Sequence, residues 1–221
     1  LLIFLLFSFS AFANGNSLLN ADTIVSGFGK IRFRAPVNDN NKKPIVLLHG
    51  IYGGASHRTW RKILPLLDQA GERVYILDLP GVGESSMPKR TYEIKDFDVF
   101  VQRFLVEVVK ERATLVSESI LSNAVLKISG TRPDLVRRAI VLNPSGITSL
   151  VDGPSNREQT LYDRLFSDDN AATAFYKNLL NPNSLRYFLG FSFFNDNLID
   201  EALLADFLAV KDNVGQRFLA L

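Results

Sequence analysis

The sequence predicts an α/β fold in which a mostly parallel sheet has helices on both faces. Short, continuous apolar runs, which suit strands buried on both faces, alternate with segments whose apolar residues recur at helical spacing. The 221 residues are 47% hydrophobic and 22% charged, which is typical of a globular chain long enough to bury a substantial core.

Four apolar runs are predicted to be the parallel strands. They cover residues 45–48, 74–79, 114–116 and 139–142. A polar stretch rich in Gly and Asn, residues 14–43, precedes them, and 27–36 is its only strand-like part.

Three helices are predicted between these strands. Apolar residues at helical spacing indicate a helix over 60–67, which Pro65 is expected to break or kink. From 97 to 109 the apolar positions follow the i, i+3, i+4, i+7 rule without a gap, so this helix is the most regular one. The helix after the third strand extends over 121–128, with Gly130 suited to cap its C-terminus.

Beyond about residue 150 the alternation of strands and helices stops. Residues 151–221 are predicted to form helices and loops rich in Phe, Tyr, Leu and Asn, including a helix over 200–210. No convincing strand is predicted there.

Residues 1–13 are apolar and end in Ala11-Phe12-Ala13, a pattern typical of an export signal with an A-x-A cleavage site. The run is shorter than the ~20 residues that span a bilayer. A misread upstream stretch and the stump of a membrane anchor are the alternatives. We expect an exported (periplasmic or secreted) or membrane-associated protein, and otherwise a cytoplasmic one. Any membrane contact is expected only through this leader.

Charge and cysteine content exclude several classes of site. The net charge is +2, and basic residues occur as short pairs such as Lys42-Lys43 rather than as the clustered face that nucleic-acid binding needs. The chain has no Cys, which excludes disulfides, a thiolate nucleophile and Cys-ligated zinc. The glycines around Gly53 lack the GxGxxG spacing of a dinucleotide loop. We predict no metal, no cofactor and no nucleic-acid partner.

The segment VSESILSNAVL (116–126) predicts a candidate nucleophile, Ser119, in a tight turn between an apolar strand and an apolar helix. Such a turn exposes a serine nucleophile at the top of an α/β sheet. The positions two residues before and after it are usually Gly, because the two backbones approach closely there. Ser117 is small enough, whereas Leu121 is bulky. The alternative is an ordinary turn residue that caps the following helix.

The upstream segment PIVLLHGIYGG (44–54) ends a buried strand with His49-Gly50 and continues into a loop rich in Gly. An oxyanion hole needs a backbone N–H from such a loop and a second one from the residue after the nucleophile. Ile51 and Ile120 are therefore the candidate donors.

Five segments, in this order and spacing, resemble the α/β-hydrolase superfamily. They are IVLLHGIYGG, W(60)…LPLL, VYILDLPGVGESS, VSESILSNAVLKI and RRAIVLNPSG. The resemblance covers about residues 44–146 and implies a serine nucleophile at Ser119, oxyanion donors from Ile51 and Ile120, and a structural role for His49.

The resemblance also implies a division of the chain. Residues 14–150 would form the N-terminal part of the hydrolase core, 151–205 a helical cap, and 206–221 the start of a return to the core. Aromatic residues of the cap are candidates for lining an apolar acyl pocket, although most are expected to pack the cap against the core. The expected partner is a small, apolar substrate.

The chain contains only two histidines, His49 and His57, and both precede Ser119. In the family the acid and the base follow the nucleophile, at the ends of the last strands. We therefore expect those strands to be missing and the chain to be a truncated fragment with little turnover. Chain order argues against His57 as the base. Asp152 is a candidate acid or a solvated loop residue, and Asp78 resembles a residue that shapes the site.

Two functions follow from these observations. The first is a serine hydrolase, such as an esterase, lipase or amidase, that acts on a small substrate through Ser119. A Ser at this position argues against the relatives with an Asp nucleophile. The second is a non-catalytic binding protein of the same fold, or a decayed enzyme, which Leu121 and the missing downstream His favour.

Overall fold

The computed structural model describes residues 18–37, 41–88, 90, 92–146, 155–191 and 193–212. Six strands form one sheet in the order β1-β2-β4-β3-β5-β6. They are β1 (Leu18–Val25), β2 (Gly29–Pro36), β3 (Ile45–Leu48), β4 (Val74–Leu77), β5 (Ala113–Glu118) and β6 (Val136–Leu142). Strands β3 to β6 are mutually parallel, and β1 and β2 join them antiparallel, which confirms the mostly parallel sheet.

Strand β1 is an element that the sequence pattern does not predict. Its sequence, LLNADTIV, mixes polar and apolar residues, and from Leu19 to Val25 only Ala21 and Val25 are buried. It pairs with β2 along its whole length, from Leu18 opposite Pro36 to Val25 opposite Gly29. The prediction of a single strand within residues 14–43 is therefore wrong, because the backbone pairing of a hairpin stabilises a segment whose own pattern is weak.

Strand β4 ends two residues before its predicted end. The backbone N–H of Asp78 donates to the carbonyl of Arg32, and that of Leu79 donates to the Nε2 atom of His49. These bonds take the chain out of the parallel ladder at the point where the loop after β4 begins.

The helices, in chain order, alternate with the strands up to β6 and then follow one another. They are α1 (Leu64–Gln69), α2 (Ile94–Phe104), α3 (Leu121–Thr131), α4 (Asn156–Ser167), α5 (Asp169–Leu179), α6 (Pro182–Gly190) and α7 (Glu201–Leu208). Short 3₁₀ helices cover His57–Trp60 and Asp196–Leu198, and a π-helical turn, Leu105–Val109, continues α2.

Two helix-boundary predictions, a break at Pro65 and a C-cap at Gly130, have different outcomes in the structure. Pro65 lies in the first turn of α1 and so divides the predicted helix over 60–67 into a 3₁₀ turn and α1, as the break at proline predicts. Gly130 lies inside α3, and the C-cap is Arg132, so its prediction as the cap is wrong. Pro133 follows Arg132 and disfavours a helical conformation there, which places the C-cap of α3 two residues later than expected.

The two faces of the sheet are covered by different helices. On one face, Phe100 and Phe104 of α2 are fully buried, and their rings meet Phe28 at 5.4 Å and Phe33 at 5.6 Å edge to face. On the other face, Trp60 joins a separate buried cluster with Leu47 and with partly buried residues of α1. Helices on both faces are thereby confirmed, and this explains why the central strands are apolar without alternation.

Beyond residue 155, all regular structure in the described ranges is helical, and the helix expected over 200–210 is α7. These helices enclose their own apolar cluster around the buried Tyr176, Leu180 and Leu204. No described helix is both long and apolar enough to cross a membrane. The predicted leader (1–13), Asp152 and the end of the chain from 213 lie outside the described residues, and the division into core and cap stays a prediction.

Candidate active site

Ser119 lies in the turn between β5 and α3 with a φ of +56°, a left-handed conformation that non-glycine residues rarely adopt. Its backbone N–H donates to the carbonyl of Leu142 at 3.1 Å, and its own carbonyl accepts the N–H of Ser122 at 3.2 Å. The predicted strand, turn and helix are therefore present. These backbone bonds hold the strained turn between the end of β6 and the start of α3.

The Ser119 hydroxyl does not cap α3 in the structure. Its Oγ lies 3.3 Å from the Oγ of Ser145, in the loop after β6, and the N-cap residue of α3 is Ile120 with no side-chain hydrogen bond. The interpretation of Ser119 as a simple capping residue is therefore not supported by its contacts.

The two residues flanking the turn are both accommodated. Ser117 is fully buried, with its Oγ donating to the Oγ of Ser122 at 3.3 Å. Leu121 is also fully buried and belongs to the large apolar cluster between the sheet and α2. The Leu121 side chain thus leaves the turn for the core, which explains how a bulky residue fits where glycine is usual.

The loop after β3 approaches the turn at Gly50. A Cβ added to Gly50 would lie 3.1 Å from the Cβ of Ser119 and 2.5 Å from the ring of Tyr52, so only glycine fits there. The next residue, Ile51, and Ile120 are the two candidate oxyanion donors. Neither of their backbone N–H groups has an acceptor within the part of the chain that the structure describes. Two unused donors are therefore available in the turns beside Ser119.

Glu118 holds the loop after β3 against β5, a contact that the sequence did not reveal. Its Oε1 accepts the N–H of Gly50 at 2.8 Å and the hydroxyl of Tyr52 at 2.7 Å. Burial, together with the Glu118 charge, raises the pKa of Tyr52 above its ordinary value, so its hydroxyl stays a donor. The only available signal was an acidic residue at the end of an apolar strand, directly before Ser119.

His49 uses both nitrogens of its ring away from Ser119. Its Nδ1–H donates to the carbonyl of Gly50 at 2.7 Å, and its Nε2 accepts the N–H of Leu79 at 3.1 Å. The side chain is fully buried, and burial lowers its pKa. A neutral imidazole with both nitrogens bonded joins the loops after β3 and β4, which is the structural role expected for it.

His57 is paired with Asp78 rather than with Ser119. Its backbone N–H and its Nδ1–H both donate to Oδ1 of Asp78, at 2.7 and 3.0 Å, and the N–H of Glu84 donates to Oδ2 at 2.9 Å. Burial alone would raise the pKa of Asp78, but the hydrogen bond from His57 and the nearby His49 hold it below its usual value. Asp78 thus joins the loops after β3 and β4, and its role in shaping the site stays a prediction.

Helix α7 packs on the loop that carries Ile51. The rings of Tyr52 and Phe207 are stacked, with centroids 6.1 Å apart. A Cβ on Gly54, which has a φ of +83°, would lie 2.7 Å from the Phe207 ring and 3.1 Å from Leu180. The helical segment beyond residue 155 therefore borders the loop of the candidate site with apolar side chains.

The arrangement brings together a strained serine, two free backbone donors and an apolar border. It does not bring a base to Ser119, since no described histidine contacts that residue. The described residues also contain no group of three or more His, Cys, Asp or Glu side chains that could hold a metal ion.

Comparison with known proteins identifies the family. The sequence model described as "alpha/beta hydrolase fold" matches residues 43–190. A Synechocystis protein that carries the name non-heme chloroperoxidase is 27% identical over 151 residues, which are 65% of this chain and 54% of that protein. The human protein ABHD14A is 34% identical over 87 residues, 38% of this chain and 31% of that protein. The chain thus spans about half the length of the first relative and less of the second.

Among solved structures, the epoxide hydrolase CorEH superposes with a TM-score of 0.68 and 19% identity, over 92% of this chain and 73% of that protein. At such low identity the likeness shows the fold alone. The family match, by contrast, covers more than half of the chain and includes β3 to β6 with the turn at Ser119. On this evidence the chain belongs to the alpha/beta hydrolase fold family.

Proposed function

We propose that the chain carries the nucleophile and the oxyanion hole of a serine hydrolase that cleaves an ester or amide bond in a small, apolar substrate. The main support is the φ of +56° at Ser119, with the unused N–H groups of Ile51 and Ile120 in the adjoining turns. Backbone strain of this kind persists where function requires it.

In the proposed reaction, Ser119 Oγ attacks the carbonyl carbon of the substrate while a base removes the hydroxyl proton. The carbonyl oxygen becomes an oxyanion, which the N–H groups of Ile51 and Ile120 stabilise. The intermediate collapses to an acyl-enzyme, and the leaving alcohol or amine takes the proton from the base. Water, activated in the same way, then releases the acid and restores the serine.

No described histidine contacts Ser119 to serve as the base in this reaction. Both nitrogens of His49 are bonded, and His57 is bonded to Asp78. A serine hydrolase without its base retains only the contribution of the oxyanion hole and of binding, roughly 10³–10⁴-fold over water. We therefore expect slow acylation by these 221 residues alone.

A non-catalytic binding protein is the second candidate, and the engagement of both histidines away from Ser119 favours it. In that case the apolar border formed by Leu180 and Phe207 would hold a ligand beside a serine that never reacts. The two candidates differ in whether the Ser119 hydroxyl becomes nucleophilic when a base is supplied.

Chemical rescue separates them. The chain is incubated with a fluorophosphonate probe, with and without imidazole, and the labelled peptide is located by mass spectrometry. If Ser119 is the nucleophile, imidazole will accelerate labelling at Ser119, Ser119→Ala will remove it, and Ser145→Ala will retain it. Ser145 is the matched control because its hydroxyl lies 3.3 Å away. Absence of labelling at Ser119 in imidazole would instead support the binding protein.

A further inference from the structure

A cleft on the β1–β2 side of the sheet is not part of the candidate active site. Its volume is about 380 Å³, and its lining comes from β1, β2, β4, the loop after β4 and the 3₁₀ helix His57–Trp60. An adjoining hollow of about 270 Å³ shares Arg34, His57 and Arg58 with it. The two hollows therefore form one depression with these three side chains at its centre.

Four arginines line this depression, and two of them are neutralised. Arg32 pairs with Glu84 at 3.2 Å on one side of the cleft. Arg61 pairs with Asp206 in the adjoining hollow. The two acidic side chains of the lining are thus already engaged with a positive partner.

The other two arginines have no such partner. The guanidinium groups of Arg34 and Arg58 make neither an ion pair nor a hydrogen bond with any residue in the described ranges. Arg34 is half-buried at the end of β2, and burial followed by the charge of Arg58 lowers its pKa. The charges of Glu84 and Asp78 act in the opposite direction on Arg34. Even so, two like charges lie in one cleft with no carboxylate in direct contact with either of them.

His57 adds a third group to this pair. Its Nδ1–H is bonded to Asp78, which fixes the ring, and its Nε2 has no partner among the described residues. The ring lines both hollows, beside Arg34 and Arg58. Nε2 is therefore the ring nitrogen that remains to contact a ligand in the hollows.

We propose that Arg34, Arg58 and His57 form a binding site for a phosphate dianion, either free or as a monoester. Two guanidinium groups with no directly paired carboxylate match two negative charges, and their planar forks suit phosphate oxygens. A cleft of about 380 Å³ has room for the group, since a water molecule takes about 30 Å³ in the liquid. The site lies outside the turn at Ser119 and does not depend on the proposed hydrolase function.

The test is a titration of the 221-residue chain with inorganic phosphate at constant ionic strength, with chloride as the reference anion. Calorimetry and thermal unfolding should both show saturable binding to the wild type. Arg34→Gln and Arg58→Gln should each weaken phosphate binding by about tenfold or more, because a hydrogen bond to a charged group is lost. Arg138→Gln, which removes an exposed strand arginine outside the cleft, should leave it unchanged.

Stability without phosphate separates a binding role from a structural one. Removal of one of two like charges should leave the Tm of Arg58→Gln equal to or above that of the wild type in chloride. Arg58→Lys, which keeps the charge without the fork, should bind phosphate with intermediate affinity. Non-saturable phosphate binding, or an unchanged affinity in the Arg34→Gln/Arg58→Gln double variant, would overturn the proposal.

Binding to lipid vesicles distinguishes a lipid phosphate from a soluble phosphate as the ligand. Retention of the chain on phosphatidate vesicles, but not on phosphatidylcholine vesicles, with release by inorganic phosphate, would identify a lipid monoester. Saturable phosphate binding without retention on vesicles would identify a soluble phosphate or phosphate ester. Both outcomes support the phosphate site.

Discussion

Three non-glycine residues of the described chain have a positive φ, and they differ in their reasons for it. Lys110 ends the π-helical turn, where a left-handed residue is a common terminator. Asn143 follows β6, and asparagine tolerates this conformation well. Neither reason applies to Ser119, since it precedes a helix instead of ending one and is neither Asn nor Gly. Its strain is therefore a residue-scale sign that the position of its hydroxyl matters.

Removing the Cβ of Ser119 should relieve this strain. We expect Ser119→Gly to exceed Ser119→Ala in free energy of unfolding by about 0.5–1 kcal/mol, because only glycine adopts a positive φ without cost. Urea denaturation of the two variants measures the difference. At Ser129, inside α3, the order should reverse, with Gly about 1 kcal/mol less stable than Ala. An Ala variant at 119 as stable as the Gly variant would contradict the strained turn.

Helix α2 is the element that contributes most aromatic side chains to the core of the sheet. Its regular apolar spacing is visible in the sequence, and its buried Phe97, Phe100 and Phe104 lie on the predicted face. The continuation of this helix as a π-helical turn is not visible in the spacing. Regular periodicity predicts the face of a helix but not the local hydrogen-bond pattern at its end.

Shortening a buried side chain on the core-facing side of α2 should lower the free energy of unfolding. Phe104→Ala is expected to lower the free energy of unfolding by about 3–5 kcal/mol, because Phe104 is fully buried and packs on Phe33. Val106→Ala, two residues further and 52% exposed, should change it by less than about 1 kcal/mol. Chemical denaturation of both variants gives the comparison, and equal losses would contradict the assigned face.

Two glycines with similar backbone conformations can be compared to test whether α7 packs on the loop after β3. Gly54 and Gly27 have nearly the same φ, +83° and +84°, but a Cβ on Gly54 meets Phe207 whereas one on Gly27 meets nothing within 4 Å. Gly27→Ala should cost about 1 kcal/mol from backbone strain alone. Gly54→Ala should lower the free energy of unfolding by clearly more than Gly27→Ala does, because α7 must also shift. Urea denaturation of the two variants measures the difference. Equal costs would mean that α7 does not pack on this loop.

At the scale of the whole molecule, the buried His49 couples stability to pH. Burial lowers its folded pKa below the value of about 6.5 in the unfolded chain. Below that pH the unfolded state binds a proton that the folded state does not. The His49 contribution is therefore fully present above pH 6.5 and is lost as the pH falls through and below this value. Asp78, whose folded pKa is also lowered, adds a further loss below about pH 4.

Urea denaturation between pH 8 and pH 5 tests this coupling. The wild type should lose stability below pH 6.5, with His49 contributing a slope of at most about 1.4 kcal/mol per pH unit. His49→Gln should be less stable at pH 8 but should show a shallower slope between pH 6.5 and 5. Leu48→Ala, an adjacent buried change without an ionisable group, should lower stability with the wild-type slope. An unchanged slope in His49→Gln would contradict a neutral, buried His49.

Much of the candidate site was predictable because it depends on local patterns. The turn at Ser119 follows from an apolar strand and helix on either side of a small polar residue, and the loop with Ile51 follows from a buried strand that ends in His49-Gly50. The hydrogen bonds of Glu118 were not predictable, since they join side chains and loops that are far apart in the chain. The same holds for the bond between His57 and Asp78.

The sequence by itself determined the α/β fold class, the alternation of strands and helices along the chain, and the position of Ser119 between a strand and a helix. These features follow from apolar periodicity and turn chemistry, which are short-range signals. Tertiary structure alone decided that β1 is a strand and that both histidines are engaged away from Ser119. It also gathered Arg34 and Arg58, 24 residues apart in the chain, at one cleft. Pairing between distant segments sets these features, and a one-dimensional pattern does not record which segments meet.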